Sequence, residues 1–197
     1  MAEILVAAVP LAVGSQWQIM MLSKLKIIFR HIWQDASDAQ RAIPPELLAK
    51  LTARVTASEA RHSGEIRIYV EAALPLSYLR RLSSEVSLQH LIRQRALMLF
   101  SKLRVWDTEH NNGVLIYLQL AEHAIEIVAD RGIHQYVDAA QWQAIAQHMS
   151  QAFKDGRFED GLTQALSEVS AVLVQHFAVT AGSDARVNQL PNEPGIG

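Results

Sequence analysis

Two short polar runs, Asp107-Thr108-Glu109-His110-Asn111-Asn112 and Asp130-Arg131-Gly132, bracket an apolar stretch in the second half of this 197-residue sequence. Carboxylates, side-chain amides and backbone carbonyls are the ligands that hard divalent cations take, several at a time. Asp107, Glu109 and Asp130 are the core candidates for such a set, with Asn111, Asn112 and Asp138 as helpers and calcium or magnesium as the ion. A competing explanation needs no metal. Asp138 suits a helix N-cap, Asn112-Gly113 a turn, and Asp130-Arg131-Gly132 a turn with a local ion pair. Both readings stay open on the sequence alone. His110 lies among these acids, and a histidine so flanked is a candidate metal ligand or proton carrier.

The elements between the runs decide whether the acids can meet. Residues 113–120 are almost unbroken Val, Ile, Leu and Tyr, which suits a strand buried on both faces. After the break at Ala121-Glu122-His123, residues 124–129 read as a second strand, with Ile125 and Ile127 on one face and Glu126 and Val128 on the other. So short a connection makes the pair antiparallel. The loop entering the first strand and the loop leaving the second therefore lie at one end of the hairpin.

Upstream, Pro44 and Pro45 suit the first turn of a helix carrying Leu47, Leu48, Leu51 and Val55. Residues 65–72 alternate as a strand, with Ile66, Ile68 and Val70 on one face. A long helical region over 77–103 follows, holding Leu79, Leu82, Val86, Leu91, Arg95, Met98 and Leu99, with a break expected near Ser87. A strand, a helix and a strand in series predict parallel neighbours. Downstream, Asp138 with Gln141 caps a helix reaching to 153, and Leu162, Leu166, Val169 and Leu173 mark a last helix over 158–177.

The ends read as appendages. Residues 1–20 are taken as a non-essential extension: the run from Ile4 to Val13 is apolar, too short to span a bilayer, and lacks the basic leader of a signal peptide. Residues 21–37 are taken as an amphipathic helix followed by a polar, alanine-rich linker. Leu22, Leu25, Ile28, Phe29 and Ile32 fall on one side of that helix, with Lys24, Lys26, Arg30 and His31 elsewhere. Such a helix packs on the domain, binds a protein partner, or makes peripheral membrane contact through residues 21–34. The domain proper occupies 38–178, and the Gly-, Asn- and Pro-rich tail over 179–197 is expected to be disordered.

Composition narrows the function. The net charge of -2 hides a split: up to Arg104 there are 14 Lys/Arg against 8 Asp/Glu, and from Val105 onward 4 against 12. With no cysteine there is no disulfide, thiolate metal site or thiol nucleophile. That fits a reducing compartment, and a cytoplasmic protein is expected, with peripheral contact at the membrane as one option for residues 21–34. No phosphate loop, dinucleotide fingerprint, zinc-protease motif or serine-hydrolase elbow is present. Arg80, Arg81 and Arg95 are too scattered in helical angle to form a stripe and have no stacking aromatics beside them, so nucleic acid is not an expected partner.

One set of short motifs recurs in a telling order. Asp38 precedes Ile43-Pro44-Pro45-Glu46; Asn112-Gly113-Val114-Leu115 opens the buried strand; Asp130-Arg131-Gly132-Ile133 and Tyr136-Val137-Asp138 follow it. Phe153-Lys154-Asp155-Gly156-Arg157-Phe158-Glu159-Asp160-Gly161-Leu162 comes last. From Asp38 to Phe177 this order resembles the TPM-domain family, which includes a plant thylakoid-lumen phosphatase-like protein. The resemblance implies a three-layer α/β/α sandwich with a small mixed sheet containing the central antiparallel hairpin. It also implies calcium or a similar cation held by acidic loop residues. Some plant members are credited with acid-phosphatase activity, and others serve as accessory proteins of membrane complexes. Asp130 stands here where the family has the first glycine of its turn. The leading expectation is a non-catalytic or accessory module that binds a divalent cation and a protein partner. A metal-dependent acid phosphatase is the alternative.

Overall fold

Alternation along the strands decides how the layers stack, because successive side chains point to opposite faces of a sheet. The computed structural model describes residues 12–179 and 188–197. Helices α1 (Ala12–Trp33), α2 (Ala36–Ala42) and α3 (Pro45–Glu59) lead to strand β1 (Glu65–Glu71). Helices α4 (Leu76–Leu79) and α5 (Leu88–Lys102) then cross to the hairpin β2 (Gly113–Gln119) and β3 (Ala124–Ala129). Helices α6 (Arg131–His134), α7 (Ala139–Lys154) and α8 (Phe158–Phe177) follow, and β4 (Gly195–Ile196) lies at the C-terminal end.

The sheet has the order β3-β2-β1-β4. Strand β1 runs parallel to β2 and to β4, while β2 and β3 are antiparallel, as the short turn requires. Ile66, Ile68, Val70, Val114, Ile116, Leu118, Ile125 and Ile127 face α3, α7 and α8 in one hydrophobic core. Leu115, Tyr117 and Val128 face α5 in the other. With helices on both faces, every residue of β2 is buried, which explains its apolar run. The result is the α/β/α sandwich with a small mixed sheet that the family resemblance implies. The break expected near Ser87 is also present: the Ser87 hydroxyl accepts the His90 N–H at 3.2 Å and starts α5.

Three segments differ from the sequence reading. The alanine-rich stretch read as a linker is helix α2, in which Ala39 is fully buried. Its start is a capping box, with Asp35 accepting the Ser37 N–H at 2.8 Å and Asp38 accepting the Asp35 N–H at 3.0 Å. Alanine supplies the rest of the preference, being the best helix former. At the other end, 180–187 lie outside the described residues, but 188–197 are structured, contrary to the disorder expected of the tail. Leu190 is buried, the Glu65 carboxylate accepts the N–H groups of Gln189 and Leu190, and the Gly197 N–H donates to Val70 O at 2.9 Å. Gly195 serves close approach, since a Cβ there would sit 2.6 Å from the Tyr69 ring.

The third difference is at the N-terminal end. Residues 1–11 of the expected extension lie outside the described residues, whereas 12–20 are already part of α1. The side of α1 with the longest apolar row does not face the domain. Ile27 and Ile28 pack on the α5-side core, while Leu22, Leu25, Phe29 and Ile32 are exposed. Among the described residues no helix is long and apolar enough to cross a membrane.

Candidate cation site at the loop end of the hairpin

The loop leaving α5 and entering β2 is a set of tight turns. Arg104 and Asn111 adopt left-handed backbone conformations, with φ of 57° and 50°, and asparagine tolerates that region better than most residues. Thr108 Oγ1 accepts the Asn112 N–H at 3.1 Å, and Asn112 Nδ2 donates to Ser63 Oγ at 3.1 Å, so this loop is tied to the chain entering β1. Two main-chain bonds then tie it to the chain leaving β3: Asp130 N–H to Gly113 O and Gly132 N–H to Asn111 O, each 2.9 Å. The two loops meet at one end of the hairpin, as the antiparallel pairing demands.

Gly132 is where they come closest. A Cβ there would lie 2.5 Å from Asn111 O and 2.7 Å from His110 O, both backbone atoms that cannot swing aside. Gly132→Ala should therefore force the loops apart and cost about 1–3 kcal/mol, read as a lower midpoint in urea unfolding. Unchanged stability would mean that the loops are not in contact.

The six candidate ligands are differently placed. Asp130 is buried; its Oδ1 accepts the Arg131 N–H at 2.7 Å at the start of α6, and its Oδ2 has no hydrogen-bond partner. Asn111 Oδ1 accepts two bonds from the Arg131 guanidinium, at 3.1 and 2.7 Å. Asn112 is buried and bonded as described. Asp107 is exposed, 4.0 Å from Arg104 Nη1. Glu109 is exposed, and its backbone N–H donates to Gln189 Oε1 at 3.0 Å. Asp138 Oδ1 accepts the Gln141 N–H at 2.8 Å and caps α7. The fold thus brings Asp130, Asn111 and Asn112 together. It leaves Asp107 and Glu109 on the exposed part of the entering loop, and Asp138 at the head of α7. Among the described residues no three His, Asp or Glu side chains stand close enough to hold a metal ion. A donor set built here would rest on Asp130 and the loop carbonyls, which are hard oxygens that fit calcium or magnesium.

Two further polar features escaped the sequence reading. A groove of about 1020 Å³ runs along the outer edge of β3 between α5 and α7, and Trp142 lies in its lining with an indole N–H that has no partner. Arg93 crosses this edge, donating to Ile127 O at 2.8 Å and to Glu126 Oε2 at 3.1 Å. Burial pushes the Glu126 carboxyl above its ordinary range, and Arg93 only partly offsets this. A folded-state pKa raised above the unfolded one means that ionised Glu126 weakens the fold at neutral pH. The penalty disappears as pH falls through the raised value and below the ordinary one. Glu126→Gln should accordingly flatten the stability profile between neutral and mildly acid pH. A variant that tracks the wild type across that window would contradict this. The second feature is buried beneath α5, where Arg95 Nε donates to Glu71 at 2.9 Å and Tyr117 Oη donates to the same carboxylate at 2.7 Å.

A four-stranded mixed sheet with helices on both faces, and a tied pair of loops at the end of its hairpin, defines the class of protein. The TPM domain pattern matches residues 36–172, and the chain belongs to the TPM-domain family. Among solved structures, the chain is similar to the BA42 protein of the psychrophilic bacterium Bizionia argentinensis, with a TM-score of 0.63 and 24% identity over 78% of this chain and 94% of that one. The N-terminal domain of a protein from P. gingivalis is more distant, with a TM-score of 0.49 and 19% identity over 64% of this chain and 72% of that one. No curated protein matches the sequence.

Proposed function

We propose that this TPM domain binds a divalent cation, calcium or magnesium, at the loop end of its hairpin. In this reading Asp130 is the anchoring ligand, and the domain works as a non-catalytic interaction module for a protein partner. The observation that carries the reading is Asp130 Oδ2, a buried carboxylate oxygen without a partner among neighbours that are otherwise hydrogen-bonded. A buried charge without compensation is costly, and a hard cation compensates a carboxylate directly. The remaining oxygens would come from the loop carbonyls, since Asp107 and Glu109 lie apart from Asp130 on the exposed part of the entering loop. The ion would tie the loops entering β2 and leaving β3 into one surface.

The alternative, a metal-dependent acid phosphatase, needs cationic donors aimed at phosphoryl oxygens. Of the two arginines in the paired loops, Arg104 lies 4.0 Å from Asp107 on the exposed side, and Arg131, next to Asp130, has its Nε and Nη2 engaged by Asn111. The non-catalytic reading is therefore preferred. Its test is the turnover of p-nitrophenyl phosphate by the purified chain with calcium, with magnesium and with chelator. The expected result is no turnover that responds to chelator or to Asp107→Ala. Hydrolysis abolished by both would replace this reading with the phosphatase.

A further inference from the structure

Helix α1 is held to the domain by its polar side. Lys24 Nζ donates to Leu82 O at 2.7 Å, and Arg30 Nη1 donates to Glu122 Oε2 at 2.9 Å and to Ala121 O at 3.3 Å. His31 is buried, and its Nδ1 accepts the Leu74 N–H at 3.0 Å. With these contacts fixing the rotation of the helix, its outward side carries Met21, Leu22, Leu25, Phe29, Ile32 and Trp33. Their exposures run from 58% at Ile32 to 72% at Trp33. Spacings of three and four put them on one stripe, and Phe29 and Trp33 lie 5.4 Å apart, ring centre to ring centre, at its C-terminal end. A row of large apolar side chains turned to solvent needs a cover.

We infer that this stripe rests on the surface of an anionic lipid bilayer, with α1 lying in the interfacial plane. Charge favours lipid over a second copy of the chain. Helix α1 contains Lys24, Lys26, Arg30 and His31 and no acidic residue. Lys24, Arg30 and His31 are engaged with the domain, which leaves exposed Lys26 beside the stripe; two such helices face to face would set these lysines together, whereas lipid phosphates complement them. The sequence supports the same reading: from Ile4 through Ser23 it has no charged residue, and the basic residues begin directly after it. Trp33 at one end of the stripe suits the headgroup level, where a ring with a polar edge is at home. Apolar burial and attraction to anionic headgroups act together in this mode, so both should be measurable. The inference does not depend on a cation at Asp130.

The test is co-sedimentation of the full 197-residue chain with phosphatidylcholine vesicles, with and without phosphatidylglycerol. The chain should bind the anionic vesicles, bind phosphatidylcholine alone poorly, and be released by salt. The double substitution Phe29→Glu, Ile32→Glu should lower the partition coefficient by about tenfold or more, and Lys26→Glu by less. All three positions are exposed, so the variants should keep the thermal transition of the wild type, and the salt dependence of the wild type gives a readout that needs no variant. Binding that the double substitution leaves intact would overturn the assignment, because the contact would then lie elsewhere on the chain. So would an absence of vesicle binding together with a dimer that the same substitution dissociates, which would make a second copy the cover.

Discussion

Replacing Ile116 with aspartate should leave no cooperatively folded protein. Ile116 is fully buried at the middle of β2, paired in register with Ile68 on one side and Ile127 on the other. Its side chain lies in the core shared with α3, α7 and α8. Nothing there would pair a carboxylate, and burying one costs several kcal/mol, comparable to the whole stability of about 5–15 kcal/mol that domains possess. Ile116→Val, which removes one methyl group, should cost only about 0.5–1.5 kcal/mol. Circular dichroism and urea unfolding of the two variants check this. A soluble aspartate variant with a sharp transition would place β2 outside the core.

The second large effect is expected beneath α5. The Arg95 guanidinium grips the Glu71 carboxylate from both Nε and Nη2, with both side chains largely buried, and the Tyr117 hydroxyl completes the cluster. Burial and then the Glu71 charge push the Tyr117 phenol well above its ordinary value, so it stays a donor. Burial would lower the Arg95 pKa, but the bond and charge of Glu71 outweigh it and the net direction is up. Arg95→Ala strands the carboxylate with a single hydroxyl and should cost about 3–5 kcal/mol. Replacing the pair together, Glu71→Leu with Arg95→Met, should recover most of that loss, because buried ion pairs exchange well for apolar neighbours. Equal losses in the single and double variants would show that the pair is not the cause.

How far the sequence could be read follows from the range of each signal. The hairpin and the burial of β2 were legible because they rest on period and turn length, which are local. The end of the hairpin at which the acidic loops gather followed from the same reasoning. The parallel pairing of β1 with β2 came from element order. Arg95 already stood in the apolar row with Leu91 and Leu99, and a charge in such a row is a signal for a buried partner that Glu71 supplies. What could not be read depends on distant contacts. Asn112 is held by Ser63, and Glu109 is met by Gln189 from near the far end of the chain, so spacing alone cannot say which loop oxygens are already engaged. The C-terminal strand owes its order to Arg67, Tyr69 and Glu65, not to its own composition. The outward turn of α1 was hidden for the same reason: Lys24, Arg30 and His31 find partners on the domain that no helical wheel shows.

The proposed binding of a cation at Asp130 is tested most directly by a thermal titration with calcium and with magnesium. If Asp130 Oδ2 anchors an ion, the wild type should gain about 2.7 kcal/mol once free ion reaches a hundred times its dissociation constant. Asp130→Asn keeps an oxygen and the shape while removing the charge, so the variant should be at least as stable as the wild type without metal and should respond weakly to it. A wild type that shows no shift with either ion at millimolar concentration and neutral pH, or an Asp130→Asn variant that responds as strongly as the wild type, would contradict the claim.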